Sequence, residues 1–216
     1  MINGFLSTVC LEGRPHEITT RETLIYKSIF FILRKVTNKM SKFAPMKGKI
    51  SEFEAMAPVG PRESLAAAIQ AGADSVYFGI GKLNMRSHSA NHFNIDDLRE
   101  IAATCNEHGI KTYLTVNTII YDDDIATMKQ IIDAAKEAGI SAVIASDVAV
   151  MSYCNEVGEE VHLSTQLNIT NIESLKFYSR FADVSVLARE LNMDQVKEIH
   201  EQIIAQNVCG PMGQQI

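Results

Sequence analysis

Neutral hydrogen-bonding side chains are concentrated in one short stretch, HLSTQLNITN at 162–171. Six of its residues carry a hydroxyl or an amide: Ser164, Thr165, Gln166, Asn168, Thr170 and Asn171. The stretch begins as an apolar run, so these side chains are expected where a buried strand ends. No general base stands at a fixed spacing from Ser164. Hydrogen-bond recognition by Ser164, Gln166 and Asn168 is therefore a better prediction than nucleophilic catalysis.

A long loop at 81–94, GKLNMRSHSANHFN, carries further polar candidates. Arg86 could hold a carboxylate or a phosphate through two parallel hydrogen bonds, and the alternative is an ordinary solvated arginine. Asn91 is included because long ordered loops often carry function. His88 and His92 are four residues apart, but without a carboxylate nearby in sequence they predict no metal site.

Four more candidates directly follow apolar runs. Asn117 ends a strand whose last part, TVNT, is polar where burial should continue, and it predicts a turn or a ligand contact equally well. Asp147 predicts a substrate contact or the N-cap of the next helix. Arg189 and Glu190 follow the sixth run, where Arg189 could bind a substrate anion, and the alternative is a pair of loop charges. His162 is expected to be a packed histidine rather than a base.

The elements that must position these residues alternate regularly. Six short apolar runs, rich in branched and aromatic residues, predict strands that are buried on both faces. They lie at 53–57, 75–80, 111–116, 141–146, 160–165 and 183–188. An amphipathic run, which predicts a helix, follows each of them. Six βα units in one direction indicate a parallel sheet.

Residues at the helix ends support this division. Pro61 is expected in the first turn of the first helix. Asn94 and Asn192 are expected N-caps, and Thr170 or Asn171 should cap the helix after the fifth strand. Glycines are expected where helices end: Gly72, Gly109 and Gly139.

Two α/β architectures fit such a pattern. A doubly wound sheet would carry a glycine-rich phosphate loop after its first strand, but APVGPRES stands there without GxGxxG. A (β/α)₈ barrel fits better, although it needs eight strands and about 250 residues. Residues 51–216 are therefore expected to form a parallel TIM-like barrel, truncated to about six of eight βα units. The loops after its strands would form the active face.

The overall composition is that of an ordinary globular protein. The chain has 216 residues, 46% of them hydrophobic, and a net charge of −6. This charge argues against a protein that coats nucleic acid by electrostatic attraction alone, but it does not exclude a local basic patch. The four cysteines lie far apart and form no CxxC pair, so reduced thiols in a cytoplasmic protein are expected.

The first fifty residues differ from the rest, with nine Lys and Arg against three acids. The apolar stretch at 23–36 is interrupted by Lys27 and is shorter than the about 20 residues that a membrane-spanning helix needs. It also lacks a signal-peptide cleavage site. Residues 1–50 are expected to be a dispensable, disordered extension or the product of an upstream start, with Met40 or Met46 as the natural first residue. An amphipathic surface helix is the alternative.

Six motifs follow one another along 53–206. They read MAPVGPRESLAAAIQAGADSVYFG, NMRSHSANHF, KTYLTVNTIIYDDD, SDVAVM, HLSTQLNITN and VLAREL. Together, in this order, they resemble the collagenase-like peptidase family of unassigned catalytic type. The resemblance implies a barrel with a cleft at its active face.

The resemblance also implies a function. Some members of that family take part in oxygen-independent hydroxylation of tRNA wobble uridine with prephenate, of a cytidine in 23S ribosomal RNA, or of the ubiquinone ring. Hydroxylation of tRNA uridine or rRNA cytidine with prephenate is therefore the favoured function, with tRNA or rRNA and a small acid as partners. The alternatives are collagenase-like proteolysis and a non-catalytic partner subunit.

The resemblance further implies a cofactor for longer relatives. By this resemblance, those longer proteins are barrels that carry an iron–sulfur cluster held by four cysteines. The four cysteines follow the region seen here. This chain stops before that motif, so it is expected to be a fragment without a cofactor or metal of its own. Its catalytic residues stay unidentified.

Overall fold

A single sheet of six parallel strands forms the centre of the computed structural model, which describes residues 54–85 and 93–216. The strands are β1 Met56–Pro58, β2 Ser75–Phe78, β3 Lys111–Val116, β4 Ala142–Ala145, β5 Val161–Leu163 and β6 Val184–Ser185. They lie side by side in sequence order, and each neighbouring pair is parallel. A helix follows every strand. This half-barrel confirms the predicted barrel-like α/β fold.

The helices begin and end close to the predicted residues. They are α1 Arg62–Ala71, α2 Ile95–Glu107, α3 Ile125–Ala138, α4 Val148–Val157, α5 Ile172–Tyr178 and α6 Met193–Gln206. Asn94, Asn171 and Asn192 are N-caps as predicted, because their side-chain oxygens accept N–H groups of the first turn. Pro61 corrects a prediction. It is the N-cap of α1, with ψ at 165°, and its carbonyl accepts the N–H of Ser64.

Several strands are shorter than predicted, although β3 has the predicted bounds. β5 stops at Leu163 because Ser164 instead caps a 3₁₀ turn at Thr165–Leu167. β6 stops at Ser185, since the N–H of Ala188 donates to the carbonyl of Ile169, which lies beyond β5. Local sequence does not reveal such tertiary hydrogen bonds.

The outer face of the sheet carries the hydrophobic core. Five of its side chains are fully buried: Val76, Phe78, Leu114, Val143 and Leu163. They pack in one cluster with the inward sides of the helices, including Leu98 of α2 and Ile132 of α3. Burying such a side chain contributes about 1.5–3 kcal/mol. The core therefore lies between sheet and helices, which leaves the inner face for other contacts.

The inner face of the sheet carries a polar network instead. Glu54 accepts hydrogen bonds from the Tyr113 hydroxyl at 2.7 Å and from Lys111 Nζ at 2.8 Å. Burial, and then the bond to Glu54, raise the pKa of Tyr113 above its ordinary value. The Tyr113 ring contacts the His162 ring, with centroids 4.8 Å apart, and His162 Nε2 lies 2.8 Å from Glu160 Oε1. His162 is 7% exposed, so it is a packed histidine as predicted.

The cysteines, the N-terminal residues and the possibility of a membrane-spanning helix were also subjects of prediction. Cys105 of α2 and Cys154 of α4 are buried free thiols, and burial raises their pKa values to about 11 and about 12. Residues 1–50 lie outside the described part of the chain. Within 54–85 and 93–216, none of the helices has the length and apolarity that crossing a bilayer requires.

A buried carboxyl group lies at the turn between α4 and β5. Glu159 is 7% exposed, and its Oε1 has no hydrogen-bond partner among the described residues. Burial raises the pKa of Glu159 to about 7, although the positive charge of Lys136 opposes this shift. Lys136 Nζ itself donates to the carbonyl of Val157 at the end of α4. Glu159 therefore keeps its proton in the folded chain at pH values where it would lose it in the unfolded chain.

This shift predicts that the free energy of unfolding falls as pH rises from 4.5 to about 7. The folded state binds more protons than the unfolded state in this window, so Glu159 contributes most below pH 4.5. The loss amounts to about 3 kcal/mol. Glu159→Gln should remove this dependence and be more stable than the native chain above pH 7, as measured by urea unfolding at several pH values.

Glu156→Gln is the matched control, because Glu156 is exposed near the end of α4, three residues before Glu159. It should keep the native pH dependence. If Glu159→Gln follows the same pH curve as the native chain, Glu159 does not hold a proton in the folded state.

Candidate functional site

A cavity of about 280 Å³ opens at the carboxyl ends of β2 to β5. Its lining residues come from the four loops that follow these strands: Met85, Asn117, Thr118, Ile119, Ser146, Asp147 and Gln166. Three of them, Asn117, Asp147 and Gln166, are among the predicted binding residues. This is the edge of a parallel barrel where ligands bind.

Asn117 holds two of these loops in place. Its Oδ1 accepts a hydrogen bond from the N–H of Met85 at 3.2 Å, and its Nδ2 donates to Ser164 Oγ at 3.4 Å. One amide therefore connects the segments after β2, β3 and β5. A short polar side chain is needed here because it must both accept and donate.

The loop after β2 reaches the cavity through a close backbone contact. A Cβ atom at Gly79 would lie 2.3 Å from the Asn84 side chain, so only glycine allows this approach. Asn84 is buried, and its Nδ2 donates to the carbonyls of Ile80 and Gly81. These contacts fix the backbone just before Met85.

Asp147 is used by the protein's own backbone. One carboxylate oxygen accepts the N–H of Ala149 at 2.8 Å as the N-cap of α4, and the other accepts the N–H of Ile120 at 3.1 Å. Of the two predicted roles of Asp147, the N-cap role is therefore the one that its hydrogen bonds show. Asp147 lines the cavity, but its main effect is to attach the loop after β3 to α4.

The stretch after β5 divides into three roles. Ser164 is buried, and its Oγ accepts the N–H of Gln166 at 3.4 Å. The Gln166 side chain is exposed and lines the cavity. Asn168 is exposed in the left-handed conformation, with φ at 49°, and it does not line the cavity. Gln166 is therefore the member of this stretch that is free to contact a ligand.

The remaining predicted residues lie away from the cavity or outside the described residues. Arg189 and Glu190 are exposed in the turn after β6 and do not line it. Arg86 and Asn91 lie in the segment 86–92, outside the described residues.

Sequence reasoning missed four lining residues, Met85, Thr118, Ile119 and Ser146. Met85 and Ile119 are exposed apolar side chains, which by themselves carry no functional signal. Ser146 directly follows β4, and that position was the signal that could have identified it.

The cavity is lined by neutral polar and apolar groups and one carboxylate that already has two donors. Within 54–85 and 93–216, no group of three His, Cys, Asp or Glu residues is placed to hold a metal ion. The described cysteines do not fit an iron–sulfur cluster either, because Cys105 and Cys154 are buried on separate helices. Hydrogen-bond recognition is therefore the chemistry that this cavity supports.

A parallel half-barrel with its cavity at the strand carboxyl ends has the organisation of barrel-type α/β enzymes. Residues 60–208 match Peptidase family U32. The chain belongs to this family, which confirms the resemblance of its motifs.

Named relatives differ in what they do. The chain is 68% identical over 164 residues to a collagenase of Porphyromonas gingivalis, which covers 76% of this chain and 40% of that protein. It is 30% identical to a tRNA hydroxylation protein of Bacillus subtilis, over 78% of this chain and 40% of the relative. It is 33% identical to a 23S rRNA 5-hydroxycytidine synthase of Escherichia coli, over 69% and 22%. The chain thus spans less than half the length of these relatives.

A solved structure agrees with the fold. A U32 peptidase superposes with a TM-score of 0.58 at 14% identity, covering 68% of this chain and 64% of that one. At this identity the likeness concerns the fold alone.

The contacts of Asp147 predict that Asp147→Ala loosens the loop after β3. Removing both acceptors should lower the free energy of unfolding by about 1–2 kcal/mol. Hydrogen exchange at the Ile120 amide should also accelerate, since that N–H loses its partner. Urea unfolding and amide exchange measure the two effects.

Asn171→Ala is the matched control, because it removes an N-cap of similar kind from α5. It should cost similar stability and leave the Ile120 amide unchanged. Unchanged exchange at Ile120 in Asp147→Ala would contradict the role given to Asp147.

Proposed function

We propose that this chain supplies part of the substrate-binding barrel of an RNA-modifying enzyme. The reaction is oxygen-independent hydroxylation of a pyrimidine, uridine in tRNA or cytidine in rRNA, with prephenate as co-substrate. The observation that carries the proposal is the cavity itself. Asn117 and Gln166 line it with amides, and its chemistry is that of hydrogen-bond recognition.

The size of the cavity supports a small ligand. Pockets for small molecules usually measure about 300–1,000 Å³, and this one is about 280 Å³. A single planar base or a small acid suits that volume better than an extended polypeptide. Amides suit a base because they can both donate to and accept from its polar edge.

Relatives that act on RNA give independent support. Two relatives, at 30% and 33% identity, are a tRNA hydroxylation protein and a 23S rRNA 5-hydroxycytidine synthase. Arg189 remains a proposed contact for a carboxylate of the small acid, since it is exposed on the loop after β6. Arg86 is proposed for the same role on the loop after β2.

Deleting the full-length gene should remove hydroxyuridine from tRNA or hydroxycytidine from rRNA, as measured by mass spectrometry of digested RNA. The native gene should restore the modification. A gene with Gln166→Ala should restore much less, because the lining amide that is free to contact the base is lost.

Asn171→Ala serves as the control, since it removes an amide that caps α5 instead of lining the cavity. It should restore the modification fully. Unchanged levels of both hydroxylated nucleosides after deletion would sink this proposal.

Proteolysis is the second candidate, and the 68% identity to a collagenase favours it. It requires a metal or an activated nucleophile. The lining hydroxyls of Thr118 and Ser146 have no histidine base beside them among the described cavity residues, and these residues form no metal group. Purified full-length protein that cleaves gelatin, and loses this activity in a cavity variant, would reverse the order of the two proposals.

A further inference from the structure

An exposed apolar rim stands beside the cavity, formed by Met85, Ile119, Tyr121 and Val148. Their exposed fractions are 60%, 70%, 67% and 49%. Scattered apolar side chains on a surface are ordinary, whereas several together indicate a contact surface. We therefore interpret the rim as a contact surface for another molecule.

Hydrogen bonds hold the rim together. Asp147, next to Val148, accepts the N–H of Ile120, which lies between Ile119 and Tyr121. Asn117 accepts the N–H of Met85. The rim is therefore a fixed surface, built from the segments after β2, β3 and β4.

Acidic side chains border this rim. Tyr121 is followed by a 3₁₀ turn at Asp122–Asp124, which leads into α3. Asp124 Oδ2 accepts the N–H of Tyr121, so this carboxylate has a local structural role. Asp122 and Asp123 are exposed and take part in none of the ion pairs among the described residues. Their charge is available to a partner.

Lys129, a cationic residue of α3, contacts an aromatic ring of the next helix. Lys129 Nζ lies 4.6 Å from the centre of the Tyr153 ring on α4. The negative field at Asp122 and Asp123 therefore lacks a close counterion from this lysine. Such a field repels the phosphates of RNA and attracts cationic groups.

We propose that the rim docks a basic polypeptide segment of a partner protein. Apolar side chains of the segment would pack on Ile119 and Tyr121, while its Lys or Arg side chains would pair with Asp122 and Asp123. Charge complementarity selects this partner over RNA. The inference goes beyond the proposed function, because the rim shares Met85 and Ile119 with the cavity but extends outward to Tyr121 and Val148, which do not line it.

The test uses the full 216-residue chain and a short fluorescein-labelled peptide of alternating Leu and Lys, followed by fluorescence anisotropy. The peptide should bind, and binding should weaken with added salt. Matched peptides with Glu for Lys, or Ser for Leu, should not bind. Mass spectrometry should recover the bound peptide intact.

Two rim variants separate the charge from the apolar contact. Asp122→Asn with Asp123→Asn should weaken peptide binding about tenfold. Ile119→Ser with Tyr121→Ser should also weaken it about tenfold. These residues are exposed, so the variants should keep the native melting temperature.

Matched controls lie on α6. Asp194→Asn with Glu198→Gln makes the same charge change on exposed residues, and Met193→Ser removes a side chain that is 77% exposed. Both should bind the peptide within about twofold of the native chain.

Three results would overturn the docking proposal. The first is no binding of the Leu–Lys peptide, or binding that both rim variants leave unchanged. The second is cleavage of the peptide, which would make it a substrate. The third is binding of an oligouridylate that requires Tyr121 and Val148, which do not line the cavity. Levels of hydroxylated nucleosides decide the proposed function separately, so either proposal can fail alone.

Discussion

The parallel pairing of six strands in sequence order is the constraint on which the rest of the structure depends. It brings the carboxyl ends of β2 to β5 to one edge, where their four loops line a common cavity. Each face of the sheet must then be covered by apolar contacts or have its polar side chains paired by hydrogen bonds. The helices cover the outer face with apolar contacts such as Phe78 and Leu114, and polar pairs satisfy much of the inner face.

The site depends on that constraint through a few side chains that bind backbone groups. Asn117 connects the loops after β2 and β5, and Asp147 connects the loop after β3 to α4. Each loop alone would be free to move, but the strands hold the loop bases at fixed spacing. Short polar side chains can then span the gaps. This leaves Gln166 as a polar lining side chain whose amide is free for a ligand.

Sequence patterns predicted features that local chemistry decides. β3 has its predicted bounds because its apolar run lies between Lys111 and the polar Asn117. The contacts that follow β6 were beyond prediction, since the N–H of Ala188 donates to the carbonyl of Ile169, which is distant in sequence. Asn117 and Gln166 were found because amides after strands are conspicuous. Ile119 was missed because exposed apolar residues gain meaning only when the fold groups them.

The inner face shows how alternate strands share one layer of a barrel. Tyr113 of β3 contacts His162 of β5 and binds Glu54, which precedes β1. Side chains from alternate strands form layers in this way in complete barrels. This layer is polar, yet these pairs satisfy one another within the sheet. The apolar side chains of Met56 and Val184, at the two sheet edges, stay partly exposed. The polar pairs thus connect β3, β5 and the segment before β1 among the described residues, whereas these two apolar side chains at the sheet edges are not buried.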